Sequence, residues 1–149
     1  MRDFIAMMRE QGRVEDIERP CSTIYEAPRM ASRTDKILFF HDLDGHRAVM
    51  NLLADRKSLA AALGVGERDL VRNLAARTYN GRATDAGRLA GGIPADLSRL
   101  PVMKHFPGDA GRYFTAGVVF SRYGGVENAS IHRMMVLDDH RVVARLVEG

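Results

Sequence analysis

The sequence predicts a mixed α/β lobe followed by an antiparallel β-meander. Three observations carry that expectation. Two segments of the first half, Phe4 to Gln11 and Asp55 to Leu63, have helical spacing with a capping residue before and a glycine behind. The apolar run Lys36 to His41 is followed by the turn pair Asp44-Gly45 and a second apolar run. After Pro101, the pairs Gly124-Gly125 and Asp138-Asp139 punctuate three strand-like segments. The division expected from this change of character is an α/β lobe over 1–100 and a β unit over 101–149.

Each element has a local cause. In the first helix Phe4, Ile5 and Met8 share a face, Asp3 is the expected cap and Gly12 the terminator. Val14 to Glu18 reads as a short strand closed by Pro20. Ser22 to Ser32 reads as a second helix, started by Ser22 and strained at Pro28. Lys36 to His41 and Arg47 to Leu52 read as paired strands. Asp55 caps a helix that Gly64 ends, and a further helix spans Glu67 to Arg77 with Leu70, Val71 and Leu74 inward. Tyr79 to Leu100 is rich in Gly and Arg and reads as a long connection, with strand character near Gly91-Gly92-Ile93-Pro94. Phe106 to Gly111 is dense in turn residues. Phe114 to Ser121, Asn128 to Leu137 and Arg141 to Val147 are the three strands of the meander.

Composition excludes several classes. The 149 residues carry 22 basic and 19 acidic side chains, a formal charge of +3, with only Lys36, Lys57 and Lys104 as lysines. The arginines are scattered, so no helix or loop concentrates charge as a nucleic-acid surface needs. A single cysteine, Cys21, leaves no internal disulfide and no Cys-x-x-Cys zinc pattern. No apolar run approaches the roughly 20 residues of a membrane span, and the first residues lack a signal-peptide core. These features imply a soluble, cytoplasmic protein.

Most polar motifs have plain explanations. His41 and His46 flank a turn at a spacing unlike common zinc sites. Asp42 and Asp44 are expected to shape the Asp44-Gly45 turn, and Asp138-Asp139 the later one. The loop His105 to Gly111 could present backbone N–H groups to an anion beside Lys104 and Arg112, or simply connect strands. Asn128-Ala129-Ser130-Ile131-His132-Arg133 is harder to dismiss. Ideal alternation puts Asn128, Ser130 and His132 on one face, and Ile131 and Arg133 on the other. Asn128 offers a neutral oxygen to Mg²⁺ or Mn²⁺, Ser130 can bond a phosphate, and Arg133 can clamp a carboxylate.

Leu100 to Val119, then Asn128 to Val136, resemble the UbiD family of prenylated-flavin-dependent decarboxylases. Met1 to Ile5 and Asn51 to Val65 are similar to it as well. The resemblance covers most of the chain and is weakest between Tyr79 and Gly92. It implies an α/β lobe followed by the first strands of an antiparallel split β-barrel of flavin-reductase type. It also implies a carboxy-lyase: reversible, non-oxidative decarboxylation of an unsaturated or aromatic carboxylic acid with prenylated FMN.

The resemblance assigns roles residue by residue. Asn128 matches a ligand of the divalent metal, Mn or Mg, that holds the cofactor phosphate. Ser130, Ile131, His132 and Arg133 lie along the cofactor, and Arg133 pairs with the substrate carboxylate as the catalytic residue. Arg145, Leu146 and Val147 match a further cofactor contact. The carbonyl near Val126 matches part of a monovalent cation site, K or Na. The family's metal-binding His, its metal-binding and catalytic Glu residues and a phosphate-binding Lys fall beyond Gly149. This chain is therefore expected to hold half a site and to be inactive alone. The remainder of the enzyme or a complementary subunit would complete it, a flavin prenyltransferase would supply the cofactor, and the complete enzyme would be a homo-oligomer. His132 to Met135 is worded like archaeal members, some of which decarboxylate anhydromevalonate phosphate. Two other classes stay open: a non-catalytic flavin- or phosphate-binding subunit, and a basic interaction module. The alternation of faces adds one expectation, an irregularity of the strand between Asn128 and Arg133.

Overall fold

The computed structural model describes residues 1–77 and 94–144. Its first element, α1 (Arg2–Glu10), buries Ile5 and Met8 and turns its charged positions outward. Asp3 sits inside the first turn and does not cap it. The far end closes as a Schellman motif. Gly12 takes φ +69°, its N–H donates to Arg9 O, and the N–H of Arg13 reaches back to Met8 O.

β1 (Val14–Ile17) pairs in parallel with β2 (Ile37–Leu43), and α2 (Glu26–Ala31) makes the crossover between them. α2 is shorter than expected, because residues 22–25 form a turn-containing entry segment outside the helix. Tyr25 stands before the helix at φ +64°, and Pro28 falls in the first turn. A first-turn proline removes no helical hydrogen bond, so the anticipated strain is absent. β3 (His46–Met50) returns antiparallel to β2. Asp44 and Gly45, at φ +49° and +85°, make the two-residue turn, whose positive φ values match the twist of a hairpin. β2 is the central strand, and Ile37, Leu38, Phe40 and Leu43 are buried along it. Ile17, Cys21, Ala27 and Ala31 pack with Leu38, Phe40 and Leu43 into one core cluster. On the other face Arg9 of α1 lies over the Phe39 ring, 5.4 Å from its centroid.

α3 (Arg56–Leu63) has the expected ends. Asp55 accepts the Ser58 N–H at 2.7 Å, and Gly64 stops the helix in the left-handed region. The same carboxylate pairs with the half-buried Arg13 guanidinium. The helix expected over Glu67 to Arg77 begins as a single 3₁₀ turn and continues as α4 (Leu70–Ala76). Only Leu70 is buried there. Val71 and Leu74 are 61% and 46% exposed, against expectation.

The second sheet has the order β4 (Tyr113–Tyr123), β5 (Val126–Val136), β6 (Val142–Ala144), all antiparallel. This is the meander read from the turn pairs. Gly124 and Gly125, at φ +56° and +82°, join β4 to β5 by a two-residue turn. Lys104 ties the segment ahead of β4 to the first lobe: its N–H donates to Thr23 O and its carbonyl accepts the Tyr25 N–H. The Tyr113 N–H then donates to Met103 O. No helix among the described residues is long and apolar enough to cross a membrane.

Candidate functional site

The hairpin β4–β5 fixes where each polar side chain of the 128–133 segment points. Ser121 pairs with Asn128, Val119 with Ser130 and Gly117 with His132. Opposed residues of a ladder share a face, so Asn128, Ser130 and His132 form a polar stripe on one side. Ile131 and Arg133 occupy the other, beside Val118 and Phe120. The alternation expected from sequence therefore holds along β5.

The ladder breaks at Arg133, by a cause other than the one expected. β5 itself is in register from Val126 to His132. The irregularity lies in β4, where Thr115 and Ala116 together fill the step between the Phe114–Met134 and Gly117–His132 pairs. Two residues on β4 thus oppose Arg133, the arrangement of a β-bulge. The bulge carries the irregularity, so Asn128 and Arg133 stay on opposite faces. A ligand contacting both must wrap an edge or the end of the strand.

Arg133 is exposed, and among the described residues its guanidinium has no ion-pair partner. It lines two adjoining cavities. One, of about 250 Å³, is shared with His105, Phe106, Asp109, Tyr113 and Thr115. The other, of about 500 Å³, is shared with Tyr113, Met135, Val143 and Ala144. A larger cleft of about 690 Å³ runs between β3 and β4 and contains His105, Tyr113 and Thr115 as well. Tyr113 and Thr115 are side chains around Arg133 that the sequence did not single out, and His105 was named only as the start of a loop. Their signal was only indirect, as residues flanking a turn-rich loop.

The opposite face holds a close pair. Ser130 Oγ and His132 Nε2 are 2.7 Å apart, and both residues are half-buried. Asn128 lies two residues away on the same face and is exposed. Gly117 stands across from His132. A Cβ there would lie 2.3 Å from Met134 Cε, so the Met134 side chain occupies the space that glycine leaves.

Several expected features resolve differently. The His105 to Gly111 loop does not offer its first amides to an anion. The N–H groups of His105 and Phe106 both donate to Asp109 Oδ2, at 3.2 and 2.9 Å. Asp42 and Asp44 do shape their turn. Asp42 accepts the Gly45 N–H at 2.8 Å, and Asp44 accepts both the hydroxyl and the N–H of Thr23. The Thr23 hydroxyl and amide hold the Asp44 carboxyl below the usual carboxylate range. His41 bonds Asp16 at 3.0 Å and His140 bonds the Ala95 carbonyl at 2.7 Å, so both are used structurally. Burial pushes the Cys21 thiol up, which suits a core residue and not a nucleophile. Among the described residues no three His, Cys, Asp or Glu side chains converge as a metal site. Arg145, Leu146 and Val147 lie outside the described residues.

Comparison with known proteins bears on this arrangement. Residues 5–78 match the model of the 3-octaprenyl-4-hydroxybenzoate carboxy-lyase N-terminal domain. Residues 83–149 match the Rift-related domain of the same carboxy-lyase. The anhydromevalonate phosphate decarboxylase of Methanosarcina mazei is 39% identical over 98% of this chain, which spans 36% of that protein. The protein of the same name from Methanothermobacter thermautotrophicus is 32% identical over 99% of this chain and 36% of its own length. Among solved structures, an evolved dimeric form of the UbiD-class enzyme HmfF from Pelotomaculum thermopropionicum, in complex with prFMN, superposes with a TM-score of 0.78. It is 26% identical, over 98% of this chain and 38% of that one. The apo 3,4-dihydroxybenzoic acid decarboxylase AroY of Klebsiella pneumoniae shares the fold at 18% identity, with a TM-score of 0.78 over 99% of this chain and 37% of that one. The chain thus spans about a third of the length of these relatives.

Proposed function

The chain belongs to the UbiD family, and from that premise we propose that it forms one wall of a prenylated-FMN-dependent decarboxylase site. The observation that carries the reading is Arg133, a guanidinium with no ion-pair partner among the described residues, at a bulge and between two cavities. A guanidinium fork matches a carboxylate with two parallel N–H···O bonds. Its role is to orient the substrate acid and hold its charge until CO₂ leaves. The substrate class is an unsaturated or aromatic carboxylic acid. The shared name of the archaeal relatives favours a phosphorylated, isoprenoid-like acid such as anhydromevalonate phosphate.

The donor set fits the cofactor. Asn128, Ser130 and His132 make a polar stripe suited to a phosphate-bearing end, and Ile131 offers an exposed apolar side chain on the opposite face of the strand. When bound, prenylated FMN supplies the electron sink for decarboxylation. Asn128 contributes one neutral oxygen to a divalent metal, Mn or Mg, and the Val126 carbonyl one oxygen to a monovalent ion. One oxygen does not make a metal site, so the other ligands and the proton-delivering acid come from the remainder of the enzyme or a complementary subunit. The family resemblance makes Arg145, Leu146 and Val147 further cofactor contacts. The working protein is a cytoplasmic homo-oligomer supplied by a flavin prenyltransferase.

Co-expression with a flavin prenyltransferase and the completing polypeptide tests the reading. The expected product is a coloured complex that releases CO₂ from the acid. Arg133→Ala should lower kcat/KM about ten- to a hundredfold, the cost of one charge-assisted contact. Arg133→Lys should recover part of it. A colourless, inactive complex would overturn the proposal in favour of a plain interaction module.

A further inference from the structure

The bulge opposite Arg133 has a second effect. Successive side chains of a regular strand point to opposite faces. Tyr113, Phe114, Thr115 and Ala116 nevertheless all border the cleft of about 690 Å³, because two of them share one step of the ladder. A bulge re-aims a side chain in this way. Tyr113 and Thr115, with His105, also border the cavity of about 250 Å³ that Arg133 lines. The space at the guanidinium and the cleft between the lobes therefore meet at a neck made of these three residues.

Size and lining give the two spaces different tasks. Ligand pockets run from about 300 to 1,000 Å³ and are mostly apolar. The cavity at Arg133, about 250 Å³, lies below that range, so a molecule held there by its charged end extends beyond it. The cleft, about 690 Å³, lies within the range. Val49 and Met50 of β3 wall it on one side, and Leu100, Val102 and Met103 ahead of β4 on another. Asn51 borders it too, but commits both amide hydrogens to the Ala31 and Thr34 carbonyls, at 2.8 and 3.0 Å. What remains of that side chain is an acceptor, which does not bond a carboxylate. The space toward β6, about 500 Å³, is bordered by residues of the second sheet alone among the described residues. Two facing walls bury more hydrocarbon than one, which favours the cleft.

We propose that the cleft between β3 and β4 receives the hydrocarbon body of the acid whose carboxylate Arg133 holds, and that Tyr113 and Thr115 at the neck determine which bodies pass. The proposal rests on the reading of Arg133 as a carboxylate clamp and adds the direction in which the substrate lies. A further polar group on the same molecule stays at the rim, where Leu100 is 44% exposed. Val102, at 5% exposure, forms the floor against which the hydrocarbon packs. Each methylene seated in the cleft strengthens binding by up to about fourfold.

The methionines report where a bound acid lies. Met50 and Met103 border the cleft, and Met135 borders the space toward β6. Crotonate, hexenoate and octenoate are titrated into this chain carrying labelled methionine methyls, and binding is followed by NMR. The expected result is affinity that rises with chain length. Shifts at Met50 and Met103 should grow with it, and any shift at Met135 should not. Ala116 is exposed, so Ala116→Leu narrows the cleft without disturbing the core. It should cost octenoate at least about tenfold more than crotonate, in affinity here and in kcat/KM of the completed enzyme. Arg133→Ala should weaken all three acids alike. Equal affinity for the three acids, each still weakened by Arg133→Ala, would overturn the cleft and leave the clamp standing. So would a length dependence read at Met135 alone. A length dependence indifferent to Arg133→Ala would overturn the clamp, and the proposed orientation with it. A length preference that disappears in the completed enzyme would mean that the remaining polypeptide fills the cleft, and would overturn the proposal. No shift at any methionine with any of the acids would overturn both readings.

Discussion

The two sheets of this molecule have the same number of strands and opposite environments. The first sheet, β1–β3, is sandwiched between α2 on one face and α1 on the other. Its central strand keeps Phe40 and Leu43 wholly buried. The second sheet, β4–β6, is longer and little covered by the described residues. Phe120 is 81% exposed and Ile131 70%. In the first sheet each strand is held by what covers it. In the second the hydrogen-bonded ladder and its two-residue turns define the structure among the described residues. The candidate site lies on this second sheet. A cofactor and a substrate need open surface, and a buried strand offers none.

The contrast is sharpest at matched aromatic positions. Phe40→Ala should destabilise by about 3–5 kcal/mol in a denaturant melt, from lost burial plus a cavity. Phe120→Ala should stay within about 0.5 kcal/mol. A cost above about 2 kcal/mol at Phe120 would show that this face is covered in solution, and would break the comparison.

Capping comes next. Asp55→Ala removes the acceptor of the Ser58 N–H and strips Arg13 of its partner, so a loss of about 1–2 kcal/mol is expected. Asp55→Asn keeps the cap and should recover about half, read from the same melts. In the second sheet the corresponding local device is the Gly124-Gly125 turn. Gly125→Ala has open space around it and pays only for its positive φ, about 1 kcal/mol. Gly125→Asn should cost less, because asparagine tolerates that region. Equal losses for both variants would mean that the turn is not the left-handed one seen here.

Acid sensitivity should divide the two sheets most gently. Asp16, Asp44 and Asp55 are all held below the usual carboxylate range, by the Arg9 guanidinium, the Thr23 hydroxyl and the Ser58 N–H respectively. A depressed folded value means stability that is fully present above the unfolded value near 3.9. It is lost as pH falls through the lower folded values. Stability should therefore be level from about pH 7 to 5 and decline below about 4. Amides of β1–β3 should lose hydrogen-exchange protection with that decline, and Asp44→Asn should flatten it. A decline already under way at pH 6 would contradict the assignment.

Much of this was legible in the residues. The helix from Asp55 to Gly64, both two-residue hairpin turns and the three-strand meander follow from local chemistry. Caps and positive-φ positions act within a few residues. The family was legible too, in the Leu100 to Val119 and Asn128 to Val136 segments, which the relatives bear out. α2 was read too long because Tyr25 is held by Lys104, a contact 79 positions away in the chain. Val71 and Leu74 were read inward because periodicity marks a face without saying whether anything covers it.

For the site the division is cleaner still. The sequence by itself determined which chemistry stands on β5: an amide, a hydroxyl and an imidazole on one face, and a guanidinium on the other. That follows from the period of two of any strand. Only the tertiary structure decided how these groups are set. The bulge belongs to β4 and not to β5, and His105 and Tyr113 close around Arg133 from outside the motif. The His132 ring turns back onto Ser130, and the Met134 side chain fills the space at Gly117. Register, bulges and side-chain rotamers are settled between strands, by neighbours far away in the chain, and no local reading of one strand contains them.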